Sequence, residues 1–223
     1  MVREEKQMSD AFINCSFLAL SGGFQDAYTY FARNGVFSNA QTGNVVLMSE
    51  NFVSGEWSQG FHYLFPLLAF AIGVFCAEQI QSRFQFAQKI HWRQGILMLE
   101  IVILFFVGFM PESWNWFATS LVSFSCAMQV QAFRKVHKYA YASTMCIGNL
   151  RSGTAALSQY LRERKKEQLE QVLYYFGIIA VFAVGAGLGG VISRKIGLRA
   201  VWCCDIFLFV SFLLMGRASA KRR

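Results

Sequence analysis

The sequence predicts an all-α membrane protein with six transmembrane helices, built as two inverted repeats of three helices. Each repeat is expected to add a polar connection and a half-length helix. Three observations support this fold class: long apolar stretches, the placement of the basic residues, and a sequence pattern that returns after 105 positions. Of the 223 residues, 55% are hydrophobic and only 15% charged, whereas globular proteins carry about 25% charged residues. We therefore expect residues 1–223 to form a single integral membrane domain.

The apolar stretches are long enough for six crossings, since one crossing takes about 20 residues of helix. They cover residues 11–32, 61–82, 94–110, 116–133, 173–193 and 200–216. A half-length helix over residues 43–53 follows the first stretch, and a second one, within residues 137–161, follows the fourth. Because a half-length helix is too short to cross, each either re-enters the membrane or lies at its interface.

The basic residues predict the orientation of these crossings. With six crossings and both chain ends in the cytoplasm, 17 of the 21 lysines and arginines lie in inner segments. If both half-length helices crossed as well, the 20 basic residues outside the crossings would divide ten to ten. Cytoplasmic segments carry the excess of basic residues, so the first arrangement is favoured. Because the basic residues lie in loops, the net charge of +8 does not indicate a nucleic-acid partner.

The most unusual stretch lies at residues 21–44, with the sequence SGGFQDAYTYFARNGVFSNAQTGN. It begins inside the first apolar stretch and carries one acid there, Asp26. A carboxylate in hydrocarbon is costly, so it usually faces a cavity or meets a partner. Asp26 therefore either carries a coupling proton or cation, or has a structural role in which it accepts hydrogen bonds from Thr29 or the following connection.

Three short motifs in this stretch carry a family resemblance. They are Gly-Gly-Phe-x-Asp-Ala at residues 22–27, Gly-Val-Phe at 35–37 and Gln-Thr-Gly-Asn at 41–44. In this pattern the chain resembles the YoaK family of bacterial membrane proteins, also called DUF1275, over its full length. The resemblance implies a six-helix protein of the bacterial inner membrane. It implies no established activity.

A weaker copy of the same stretch lies 105 positions later. Identical residues recur at this spacing: Ala27, Ser38, Gly43 and Asn44 fall on Ala132, Ser143, Gly148 and Asn149. Gln131 falls on the position of Asp26. Since each half has three crossings, a duplication predicts that residues 11–110 and 116–215 insert with opposite orientation, as in many secondary transporters.

We predict a solute site between the repeats, lined by polar residues of the two copies. The candidate substrate-binding or coupling residues are Gln25, Asp26, Gln41, Thr42, Asn44, Gln131, Ser143, Asn149 and Arg151. The asparagine at the start of each half-length helix is expected to cap it, and free N–H groups at such a start attract anions. Arg151 then either makes the second start anion-selective or contacts phospholipid.

Two further acids, Glu100 and Asp205, are related by the repeat and fall near the start of a predicted crossing. In repeats of opposite orientation they are expected at opposite faces of the membrane. There they either act as gates that pair with Arg93 or Arg199, or are interfacial acids whose side chains reach water.

These features favour a small secondary transporter or permease, with proton or cation coupling through Asp26. The sequence contains no nucleotide-binding loop and no zinc-protease motif, and we expect no enzyme activity. The six cysteines lack metal-site spacing, so we expect neither a metal nor a cofactor. The alternative function is a non-transporting accessory or lipid-interacting membrane protein.

The expected partners are the lipid bilayer and a small solute. Two pairs of small residues, Gly73 with Ala77 and Gly185 with Gly189, permit close helix packing. Through them either the two repeats contact each other, or two copies of the chain form a homodimer.

Overall fold

The computed structural model describes residues 8–84 and 92–220, and eight α-helices make up most of this part of the chain. They are α1 (Phe12–Ala32), α2 (Gln41–Val53), α3 (Trp57–Phe84), α4 (Trp92–Val107), α5 (Asn115–Ala132), α6 (Cys146–Glu163), α7 (Lys166–Ile196) and α8 (Trp202–Ala220). Short 3-10 helices cover Met8–Asp10, Glu112–Trp114 and Gly197–Val201. Two-residue strands, β1 (Lys135–Val136) and β2 (Tyr139–Ala140), pair antiparallel between α5 and α6.

The predicted apolar stretches lie in α1, α3, α4, α5, α7 and α8, and α2 is the expected short helix, with 13 residues. The prediction of a second half-length helix is wrong, because α6 has 18 residues, as many as α5. Its helical structure continues into the charged run, where only Arg164 and Lys165 separate it from α7. Arg164 makes the break by adopting a left-handed backbone, with φ of 54°.

The outer surface of the helices is apolar. Two described helical stretches, Trp57–Phe84 and Lys166–Arg217, are long and apolar enough to span a membrane by length and composition. On α3, one face exposes 41–64% of each large side chain, at Phe61, Phe65, Leu68, Ile72 and Phe75. Soluble proteins rarely expose apolar surface this continuous, whereas a bilayer requires it.

The long helices pack in two parallel pairs. α1 and α7 run in the same direction, since Phe12 lies against Gly177 and Phe24 lies against Gly189 further along both helices. α3 and α5 also run in the same direction. The rings of Phe65 and Trp116 are 5.5 Å apart, and Gly73 lies against Phe124 about two turns later.

The remaining pair, α4 and α8, is antiparallel. Gln94 near the start of α4 donates to Phe212 O near the end of α8, at 3.5 Å, and the rings of Phe105 and Trp202 are 6.2 Å apart at the other end. α4 ends close to the end of α1 and the start of α5, because Arg33 contacts both Val107 O and Asn115. Thus α1, α4 and α7 point in one direction, and α3, α5 and α8 point in the opposite direction.

Glycines allow both parallel pairs to approach closely. A Cβ atom on Gly185 would overlap Leu20 O of α1, and one on Gly189 would lie 2.7 Å from Phe24 O. On α3, a Cβ atom on Gly73 would overlap Phe124 O of α5. The small-residue pairs are therefore used within the chain, between α7 and α1 and between α3 and α5.

The glycine contact predicts a site-specific loss of stability. Gly185→Ala should destabilise the protein by about 1–3 kcal/mol, because the new methyl group forces α7 away from α1. Gly187→Ala is the matched control on the same helix, since no atom lies within 4 Å of its Cβ position. Thermal unfolding in detergent measures both changes. Equal melting temperatures for the two variants would contradict the close α1–α7 contact.

Candidate functional site

The middle of α1 is the most enclosed polar segment in the described chain. Every residue from Ser21 to Thr29 is buried. Polar side chains there include Gln25 and Asp26, which an apolar surrounding destabilises unless they find partners. These partners come from α4, α5 and the two polar connections.

The first connection, residues 33–40 between α1 and α2, returns from the end of α1 to its middle. The Asn39 side chain donates to Gly22 O at 3.1 Å, and Gly22 is the eleventh of the 21 residues of α1. From there α2 leads back toward the start of α3, where the rings of Phe52 and Trp57 are 5.4 Å apart. The connection and α2 together form a segment that enters the bundle halfway and leaves on the same side.

The second connection, residues 133–145 between α5 and α6, also reaches the middle of α1, from the opposite end of the bundle. Gln129 of α5 donates to Ser143 Oγ at 3.0 Å and to Leu18 O at 3.3 Å. The Thr144 methyl group lies directly against Gly22, so that even a Cβ atom there would overlap it. We call this meeting point the tip site, and it comprises Gly22, Asp26, Asn39, Gln129, Ser143 and Thr144.

Two asparagines hold the connections with the same hydrogen bonds. Asn44 accepts from Phe37 N at 3.0 Å and donates to Phe37 O at 2.7 Å. Asn149 accepts from Ala142 N at 3.3 Å and donates to Ala142 O at 2.7 Å. The expectation that these asparagines cap their helices is wrong, since α2 and α6 begin before them and have no side-chain cap.

Asp26 fastens the first connection to α1. Its Oδ1 accepts from Asn39 N at 2.7 Å and from Ser38 Oγ at 3.1 Å. Gln41 also holds the connection, by donating to Ser38 O at 2.8 Å. Thr29 does not contribute, because its hydroxyl donates to main-chain carbonyls of its own helix.

Glu100 lies at the centre of the bundle, and not at the end of the bundle where a gate is expected. It is fully buried in the middle of α4, where Gln25 Nε2 donates to Oε1 at 3.0 Å. Arg93 instead binds Asp10 at 3.0 Å. The predicted pairing of Glu100 with Arg93 is therefore wrong. Because α4 crosses α8 antiparallel, Asp205 lies at the same level, within electrostatic range of Glu100, and the prediction of opposite faces is wrong too.

Three predicted site residues lie away from the tip site. Gln131 donates to Glu78 of α3, whereas Gln129, two residues earlier, is buried and donates to Ser143. Two residues rotate a helix by about 200°, so an alignment error of this size selects the opposite face. Thr42 and Arg151 are exposed on the outer sides of α2 and α6.

Several buried oxygens at the tip site have no hydrogen-bond partner in the described chain. They are Asn39 Oδ1, Gln129 Oε1 and Thr144 Oγ1. Asn39 and Thr144 are 105 positions apart, one at the tip of each connection. Buried polar atoms nearly always have a partner, so this hydrogen-bonding capacity requires an explanation.

Arg33 has a structural role that the sequence did not reveal. The side chain is completely buried, and it donates to Tyr28 Oη, Asn115 Oδ1, Val107 O and Met110 O at 2.7–2.9 Å. In the sequence it follows an apolar stretch and resembles a loop cation. Only the meeting of α1, α4 and α5 at this end supplies its acceptors.

The part of the chain that matches known proteins includes every residue of the tip site. The family model described as "Protein of unknown function (DUF1275)" matches residues 15–214. The UPF0700 transmembrane protein YoaK of Bacillus subtilis (strain 168) is 27% identical over 206 residues, which are 87% of this chain and 89% of the relative. No solved structure matches the chain.

The charge of Asp26 is measurable through Cys146, the first residue of α6. Burial raises the pKa of the Cys146 thiol, and the nearby Asp26 carboxylate raises that pKa further. Removing the carboxylate with Asp26→Asn should therefore favour the thiolate and speed alkylation of Cys146 at a fixed pH. The measurement uses a variant that retains only this cysteine. Glu50→Gln, an exposed change on α2, serves as the control and should leave the rate unaltered. Equal rates with and without Asp26 would contradict a charged carboxylate at this position.

Proposed function

The chain belongs to the DUF1275 family of transmembrane proteins, and we propose that it acts as a small secondary transporter or permease. The observation that carries the proposal is the tip site, where buried oxygens without partners among the described residues lie at the meeting point of two re-entering connections. Transporters of inverted-repeat design bind their solute near the middle of the membrane, where helices are interrupted. In this proposal the structure corresponds to a closed state, with the solute site enclosed between the halves.

The helix directions support six crossings in one membrane domain. In chain order, α1, α3, α4, α5, α7 and α8 alternate in direction, as successive crossings must. We propose that α2 and α6 are the re-entrant segments. The basic residues then orient both termini toward the cytoplasm, in the bacterial inner membrane.

The mirrored contacts support a duplication with inverted halves. α1 packs on α7 as α5 packs on α3, and each equivalent pair, α1 with α5, α3 with α7 and α4 with α8, points in opposite directions. The asparagine bonds to Phe37 and Ala142 recur at a spacing of 105 residues. These relations favour repeats at about residues 11–110 and 116–215.

Asp26 is proposed as the coupling residue, because the groups that donate hydrogen bonds to it belong to the first connection, which is proposed to move during transport. Uptake of a proton by the carboxyl group would weaken its bonds to Asn39 N and Ser38 Oγ. The first connection would then be freer to leave α1. A proton would in this way bias the equilibrium between closed and open states.

A lipid-interacting role is the second candidate, and the exposed side of α6 favours it. Ile147 and Leu150 are exposed beside Arg151, and the three lie within about one turn of helix. Apolar side chains next to arginines suit the boundary between acyl chains and anionic headgroups.

Cysteine accessibility tests the proposed topology. In a cysteine-free background, Gly55→Cys should react with an impermeant reagent from outside, because Gly55 lies in the turn between α2 and α3. Glu167→Cys, at the start of α7, should react only after the membrane is opened. Labelling of both positions from the same side of intact cells would exclude the six-crossing arrangement.

Flux into proteoliposomes tests the transport function. A pH-sensitive dye inside the vesicles reports proton movement when a panel of amines, amino acids, organic acids and sugars is added outside. At least one solute class should move protons with the wild type, and Asp26→Asn should abolish this coupling while Glu50→Gln retains it. Absence of flux and of coupled proton movement for every class would favour the lipid-interacting role.

A further inference from the structure

We propose that the tip site binds a small cation that donates several hydrogen bonds, such as a primary ammonium group. The inference rests on the proposed function for the place where the solute binds, and it adds the chemical class of that solute. It follows from which atoms of the tip site are already engaged and which remain free.

The orientation of two amide groups is fixed by main-chain carbonyls. Asn39 Nδ2 faces Gly22 O at 3.1 Å, and Gln129 Nε2 faces Leu18 O at 3.3 Å. A carbonyl oxygen can only accept, so each amide must present its NH₂ group to the helix. Reversing either amide would place two acceptors against each other. The atom that remains on each side chain is therefore the oxygen.

The free atoms at the tip site are consequently acceptors. Asn39 and Gln129 expose 4% and 0% of their surface, and their Oδ1 and Oε1 atoms have no partner in the described chain. The Thr144 hydroxyl, in a residue that is 5% exposed, also lacks one. Leu18 and Gly22 are one helical turn apart on the same face of α1, so the groups bound to their carbonyls are neighbours.

The surrounding charges also favour a cation. Asp26 lies one turn beyond Gly22 on α1, and its carboxylate is the acidic group of the tip site. Among the described residues, no lysine or arginine hydrogen-bonds to the tip site. The buried Arg33 is engaged by neutral acceptors at the end of α1.

The expectation of an anion at the start of α2 loses its physical basis. At the start of α2, Asn39 N already donates to Asp26, and Gln41 N donates to Asn39 O. Arg151, the cation expected to attract an anion, is exposed on the outer side of α6. An anion would meet free acceptor oxygens and a carboxylate, which repel it.

The number of free acceptors suits an ammonium group better than a metal ion. A primary ammonium group has three N–H donors, and the tip site has three free oxygens. No group of three His, Cys, Asp or Glu side chains in the described chain could hold a metal ion. A divalent ion such as calcium requires six to eight oxygens, with several carboxylates.

The test compares ligands that differ in a single property. Thermal unfolding of the purified protein is recorded with methylammonium, with tetramethylammonium, which has the charge but no N–H donors, and with formate, which has the opposite charge. Methylammonium should raise the melting temperature in a saturable manner, because a ligand that binds only the folded state stabilises it. Tetramethylammonium and formate should not.

Two hydroxyl deletions locate the binding. Thr144→Val keeps the shape of the side chain and removes a hydroxyl that has no partner in the described part of the chain, so the fold should tolerate it. It should weaken methylammonium binding about tenfold, the loss expected for one hydrogen bond to a charged donor. Ser193→Ala removes a buried hydroxyl that also lacks a partner in the described chain, near the end of α7, and should leave binding unaltered.

The outcomes separate the ligand class from the transport function. Equal stabilisation by tetramethylammonium, stabilisation by formate alone, or unaltered binding in Thr144→Val would each overturn the proposed ligand class. Binding of methylammonium in the expected pattern, without flux in proteoliposomes, would confirm the ligand class and contradict the proposed transport function. Flux of a different solute class, with no response to methylammonium, would support the transport function and contradict the ligand class.

Discussion

The bilayer offers no hydrogen bonds, and this constraint explains where each helix lies. A polar side chain in hydrocarbon must find its partner inside the protein. The chain places such side chains on α1 and α5, the two helices that α7 and α3 cover most closely. Glycines on the covering helices let backbone meet backbone, at Gly185 with Leu20 and at Gly73 with Phe124. The polar side chains Gln25 and Gln129 then face the centre, where they bind Glu100 and Ser143.

Arginine side chains join the helix ends around this centre. At one end, the buried Arg33 binds carbonyl groups at the end of α4, where the helix dipole favours a cation. At the other end, Arg93 at the start of α4 binds Asp10 and Ser9, just before α1. The two contacts join α1 and α4 at both ends. In the proposed transporter, movement would therefore come from the connections, which hydrogen bonds of Asp26 and Gln129 hold to the helices.

The sequence predicts the helices well because crossing a membrane demands length and apolar composition, and both are local properties. It also predicts the spacing of 105 residues, which Asn44 and Asn149 reproduce in the bonds they make. It fails on the rotation of a helix about its axis, as with Gln129 and Gln131, because an apolar helix carries little periodic signal. It fails on Arg33 and Glu100 as well, since their partners come from helices about 75 or more positions away.

The two halves resemble each other in framework and differ in chemistry, and under the proposed function this difference has a consequence. Both connections reach Gly22, and both place a serine at the helix that precedes them. In the first half this serine donates to the carboxylate of Asp26, and in the second half it accepts from the neutral amide of Gln129. Protonation can therefore loosen only the first connection directly. A transporter built in this way would couple its proton to one side of the membrane through Asp26, while Gln129 and the second connection respond to the solute alone.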